Sequence, residues 1–85
     1  MKEIRWNLVK SERLKKTRGV SFEELINARF VGVKKHPQKE NQSIMLFEHK
    51  NYIWIVPYVN EKEYIFLKTL YPSRKYTKLY KKEDI

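Results

Sequence analysis

The stretch Tyr64-Ile65-Phe66-Leu67-Lys68-Thr69-Leu70-Tyr71-Pro72-Ser73-Arg74-Lys75-Tyr76-Thr77-Lys78-Leu79-Tyr80 passes from an apolar, aromatic half into a basic one. Tyr64 to Leu70 is nearly unbroken in apolar character, with Lys68 as its single charge, which predicts a strand covered on both faces. Pro72 is expected to stop that strand. Ser73 then stands at the N-cap of a helix beginning at Arg74, where its side-chain oxygen can accept a bond from a free backbone N–H. Arg74 and Lys75 fall in the first turn, facing the positive end of the helix dipole, a placement that costs roughly 0.3–1 kcal/mol per charge unless an anion is near. Two readings stay open: a solvated basic helix end, or a phosphate site made of free N–H groups, the Ser73 hydroxyl and the two cations. Lys78 and Lys81 carry the basic character further along the same helix as candidate RNA contacts.

Upstream of this stretch, turn signals recur. Asn60, Glu61 and Lys62 separate it from a strand over Tyr52 to Val59, and His49, Lys50 and Asn51 make a tight turn back to a strand over Ser43 to Glu48. His36 to Gln42 reads as a polar surface loop after a short strand from Phe30 to Val33. The spacing predicts an antiparallel meander, and Pro57, which has no N–H to donate, predicts a bulge or an edge position in its strand. Near the start, Asn7 caps a helix from Leu8 to about Arg18 that closes on Gly19. Leu8, Val9 and Leu14 give this helix a thin apolar stripe, while Lys10, Arg13, Lys15, Lys16 and Arg18 read as its solvated face. Ser21 with Glu24 forms a capping box for a second helix from Phe22 to about Ala28. The expected fold class is α+β: two N-terminal helices, a four-stranded antiparallel sheet and a C-terminal helix, in one domain over residues 1–85.

The formal charge of +9 and a pI of about 9.8 point to a polyanionic partner. Aromatic residues make up 14% of the chain, so basic and stackable side chains occur together, as recognition of single-stranded RNA requires. There is no cysteine, which excludes disulfides and thiolate chemistry. The leading segment Met1-Lys2-Glu3-Ile4-Arg5 has no hydrophobic run, and no stretch is long and apolar enough for a membrane span, so a soluble cytoplasmic protein without membrane contact is expected.

With only two glycines there is no phosphate-cradling loop, which removes kinases and dehydrogenases, and no cofactor is expected. His36 and His49 stand apart from each other in the sequence, so no metal site is expected either. What remains is phosphate chemistry on fixed cations: an RNA 2′-hydroxyl attacks the neighbouring phosphate, and Lys and Arg stabilise the added negative charge. The general base is open among Glu48, His49 and a tyrosine. Trp6 is either a core anchor between helix and sheet, the preferred reading, or a platform for a base; Trp54 shares a strand face with Tyr52 and Tyr58.

Three separated motifs carry a resemblance: Trp6-Asn7 with Lys10; Arg18-Gly19-Val20-Ser21-Phe22-Glu23-Glu24; and Ser73-Arg74-Lys75 with Tyr80. In these the chain resembles the BrnT-like toxins of bacterial type II toxin–antitoxin pairs, which have a RelE-like ribonuclease fold. The resemblance implies metal-independent RNA cleavage, a cognate DNA-binding antitoxin through which the chain can oligomerise, and functional positions at Trp6, Lys68, Arg74 and Lys75. Arg18 stands where the family usually has histidine, and Lys68 and Lys75 stand where it has arginine. Lysine keeps the charge there and loses the planar fork. The leading expectation is a ribonuclease toxin in which Arg74 and Lys75 hold the scissile phosphate and Lys68 adds charge, with Trp6, Ser73, Lys78 and Lys81 as RNA contacts. Its rivals are a non-catalytic RNA-binding or regulatory module with the same basic surface, and a structural partner whose aromatic faces bind another protein.

Overall fold

The computed structural model describes residues 2–36, 38–40 and 42–83. Its elements are strand β1 (Glu3–Arg5), helices α1 (Leu8–Arg18) and α2 (Phe22–Ile26), strands β2 (Arg29–Lys35), β3 (Ser43–His49), β4 (Tyr52–Asn60), β5 (Tyr64–Leu67) and β6 (Tyr71–Pro72), and helix α3 (Arg74–Lys81).

The helix ends are set by local chemistry. The Asn7 side chain accepts from the Lys10 N–H at 2.9 Å, and Gly19, at φ 80°, closes α1 with its own N–H on the Lys15 carbonyl at 3.0 Å. Ser21 and Glu24 form the reciprocal capping box of α2, which ends at Ile26, short of the expected Ala28. The Ser73 side chain accepts from the Tyr76 N–H at 3.1 Å and starts α3.

The sheet is six-stranded and mixed, in the order β1-β5-β4-β3-β2, with β6 pairing β4 beyond the end of β5. The expected RelE-like arrangement of two leading helices and a four-stranded antiparallel sheet is therefore corrected in two places. First, a strand precedes the helices: β1 lies parallel to β5, with Ile4 opposite Ile65. Three exposed residues with a charge at each end present no periodicity that marks a strand, and their partner lies far along the chain. Second, the strand expected over Tyr64 to Leu70 is interrupted.

Pro57 is the physical cause of that interruption. The N–H and C=O of one strand residue face the same edge, and the Pro57 carbonyl accepts from the Lys68 N–H at 2.8 Å. The Pro57 nitrogen faces that edge too and cannot return the bond. The ladder breaks there: Tyr58 pairs with Leu67 and Ile55 with Tyr71, so Lys68, Thr69 and Leu70 stand opposite Val56 and Pro57 as a bulge. Pro72, expected to stop the strand, is the last residue of β6, opposite Trp54, and Ser73 follows as the cap of α3.

Alternation along β3 and β4 makes three layers. Met45, Phe47, Val56 and Tyr58 pack on one face against Leu14 of α1 and Phe22 and Leu25 of α2. Ile44, Leu46, Ile53 and Ile55 pack on the other, where Tyr76 and Tyr80 of α3 cover them. Both central strands are thus buried on two faces, which is why they read as continuous apolar runs. Full burial of side chains such as Phe22, Leu25 and Ile53 stabilises by about 1.5–3 kcal/mol each.

Lys50 and Asn51 join β3 to β4 with φ of 53° and 66°, both in the left-handed region, as a two-residue type I′ hairpin requires. Strand β2 extends past the expected Phe30–Val33 at both ends and carries an extra residue, Val31, between Phe30 and Gly32 in its pairing with β3. It forms one edge of the sheet and leaves Phe30 54% and Val33 52% exposed. Residues 37 and 41 of the expected His36–Gln42 loop lie outside the described residues. No helix among the described residues is long and apolar enough to cross a membrane.

Candidate nucleic-acid interface

Helix α3 is held down by one buried residue. The Thr77 hydroxyl oxygen accepts from the Ile53 N–H of β4 at 2.8 Å, and the same hydroxyl donates to the Ser73 carbonyl at 2.6 Å. With Tyr76 and Tyr80 turned toward the sheet, the opposite stripe of α3 carries Arg74, Lys78 and Lys81, all exposed, at spacings of four and three residues. Arg74, Lys75, Lys78, Leu79 and Lys82 line an open concavity of about 470 Å³. Lys78 and Lys81 lie in the last turn, where the dipole favours cations. Arg74 and Lys75 lie in the first turn, which has no acidic residue, and among the described residues neither makes an ion pair. The Lys75 ammonium sits 5.7 Å from the centre of the Tyr76 ring.

The expected site residues fall into separate groups. Ser73, Arg74, Lys75, Lys78 and Lys81 belong to α3 and its cap. Lys68 is exposed in the bulge between β5 and β6, where it keeps company with α1: burial first, then the charges of Lys68, Arg13 and Arg18, pull the Lys10 ammonium below the ordinary lysine range. The reading of Lys10 as a solvated side chain is corrected, because it is half-buried. Lys10, Leu14 and Arg18 recur every four residues on one face of α1, and Leu14 is buried, so that spacing places the cations beside the core. The row was visible in the sequence, but the abundance of Lys and Arg around the helix hid it.

Trp6 is a half-buried anchor. Its indole N–H donates to Glu23 at 3.0 Å, and its ring lies 6.3 Å from that of Phe22. The Ser11 hydroxyl, buried, donates to the other Glu23 oxygen at 2.5 Å and accepts from the Phe22 N–H at 3.0 Å. Trp6, Ser11 and Glu23 therefore lock α1 to α2.

Alternation separates the general-base candidates. Glu48 follows Ile44 and Leu46 to the α3 side, where the Tyr80 hydroxyl donates to it at 3.4 Å. His49 follows Met45 and Phe47 to the opposite side, where its Nε2 is buried without a hydrogen-bond partner. The contact between Glu48 and Tyr80 is not visible in the sequence, since it depends on how α3 crosses the sheet. Among the described residues no three of His, Asp and Glu come together as a metal-binding group. Comparison with protein-family models, with curated proteins and with solved structures finds no match to this chain.

Proposed function

We propose that this chain is a cytoplasmic ribonuclease that cleaves single-stranded RNA by metal-independent transesterification, as the toxin of a BrnT-like toxin–antitoxin pair. The observation that carries the reading is the first turn of α3, where Arg74 and Lys75 oppose the dipole and, among the described residues, have no carboxylate partner. A phosphate there meets two cations and the free N–H groups of a helix start, and its charge grows as the 2′-hydroxyl attacks. In that step the 2′-oxygen bonds to phosphorus, the bond to the 5′-oxygen breaks, and a 2′,3′-cyclic phosphate remains. Glu48, oriented by Tyr80 on the same side of the sheet, is the carboxylate offered to take the 2′-hydroxyl proton. An ammonium of the cluster supplies the proton to the leaving oxygen. The exposed Phe30 and Val33 on the β2 edge support a protein partner, in this reading the antitoxin.

One observation favours the non-catalytic RNA-binding alternative. Glu48 meets α3 at Tyr80, in its last turn, whereas Arg74 and Lys75 lie in its first. The experiment that decides is incubation of an end-labelled single-stranded RNA with the protein in excess chelator. Fragments ending in 2′,3′-cyclic phosphate, absent when every 2′-hydroxyl is methylated, are the expected result. Intact RNA with salt-dependent binding selects the binding module instead. Expression alone is expected to arrest bacterial growth, and co-expression of the antitoxin to restore it.

A further inference from the structure

We propose that Lys10, Arg18 and Lys68 form a second phosphate site, which takes another backbone phosphodiester of the single-stranded RNA bound at the start of α3. The inference rests on the RNA reading above and extends it to a strand that passes over the sheet edge at β6. Its basis is the bulge caused by Pro57. The Arg18 guanidinium donates to the Leu70 carbonyl, fixing the end of α1 to the bulge, and Lys68 stands exposed two residues earlier in the same bulge. A guanidinium has five N–H donors, so that bond leaves others for a ligand. Lys10 lies on the same face of α1 as Arg18, half-buried beside Leu14.

Cations brought together repel one another, and among the described residues no ion pair offsets these three. The ion pairs among the described residues join Arg5 to Glu3 and Lys15 to Glu24, and neither involves Lys10, Arg18 or Lys68. The depressed Lys10 ammonium records that repulsion together with burial. An anion bound between these side chains offsets the repulsion. A phosphodiester is the anion that fits a ligand already held at α3, because β6 joins the two places directly. Arg74 comes six positions after Lys68, which limits their Cα atoms to roughly 20–22 Å even if fully extended. That is a distance a short single strand can span, whereas a mononucleotide cannot.

The test compares a 12-nucleotide single-stranded RNA, 2′-O-methylated to prevent cleavage, with a dinucleotide carrying one phosphate. Lys10→Met with Lys68→Met keeps the apolar stems and removes both charges. The expected result is binding of the 12-mer weakened about tenfold, with the slope of log K against log salt reduced in magnitude by about 0.7 for one lost phosphate. Dinucleotide binding stays within about twofold, and the melting temperature is equal or higher because repulsion has been removed. If the double variant does not fold, Lys68→Gln alone, at an exposed position, reads the same slope. A 12-mer affinity and slope that do not change, or an equal loss for both ligands, overturn the second site while the RNA reading stands. Failure of the wild-type protein to bind the 12-mer even at low salt overturns the RNA reading itself.

Discussion

Arg74 and Lys75 face the positive end of α3, and among the described residues no carboxylate pairs with either, so the dipole opposes their charges. Replacing both with alanine is expected to leave the melting temperature unchanged or to raise stability by a few tenths of a kcal/mol, since an unfavourable dipole interaction disappears. The same change is expected to lower RNA cleavage on the order of 10²-fold, because the charge that grows in the transition state loses its counter-ions. A solvated basic helix end predicts the stability gain without the loss of cleavage, so measuring both separates the readings. Glu23 tests the other side of the sheet. The Ser11 hydroxyl above all, with Trp6 and Ser21 assisting and burial opposing, holds the Glu23 carboxyl below the ordinary glutamate range. A folded-state value below the unfolded one stabilises the protein above the ordinary glutamate pKa, and the contribution is lost as pH falls through the lower, folded value. Denaturant titrations of Glu23→Gln are therefore expected to show lower stability at neutral pH and a shallower decline below about pH 4 than the parent chain. Parallel curves across the acid range would remove the linkage.

At the scale of elements, α3 depends on Thr77 more than its size suggests. Thr77→Val keeps the shape but leaves the Ile53 N–H buried without an acceptor, a loss of about 1–3 kcal/mol. Thr77→Ser retains the acceptor and is expected to recover most of it; equal destabilisation of the two variants in thermal melts would show that packing, not the hydrogen bond, docks the helix. The ends of α1 and the start of α3 were legible because Asn7, Gly19 and Ser73 each act within a few residues of themselves. The sheet was legible only where it is local: the hairpin at Lys50 and Asn51 joins neighbours, and its strands read correctly to within a residue. The pairing of β1 with β5 and the bulge opposite Pro57 were not, because both depend on a partner strand distant in the sequence. The sequence marked Pro57 as a defect in β4, yet the distortion appears in the strand beside it, which is the one that lost its donor. The site divides in the same way. The cations of α3 lie on one contiguous helix, whereas the company of Lys10 and Lys68 exists only after the sheet has closed.

At the scale of the whole molecule, the +9 charge predicts that RNA binding falls steeply with salt. Contact with about four to six phosphates gives a slope of roughly −0.7 for each in a plot of log K against log salt. Affinity that stays level across a tenfold change in salt would leave the polyanion reading without support. The parallel pairing of β1 has a further consequence, which concerns the order in which the molecule forms and opens. Glu3 meets Tyr64, so the hydrogen bonds of β1 close a loop of roughly sixty residues, and they are expected to form after the local hairpin of β3 and β4. Three exposed residues gain little buried area in return. In deuterated solvent the amides of β1 are expected to exchange through brief detachments that leave the central hairpin intact, long before those of Leu46 or Ile55. The strand that closes the longest loop in the sheet is thus expected to be fastened late and to come loose early.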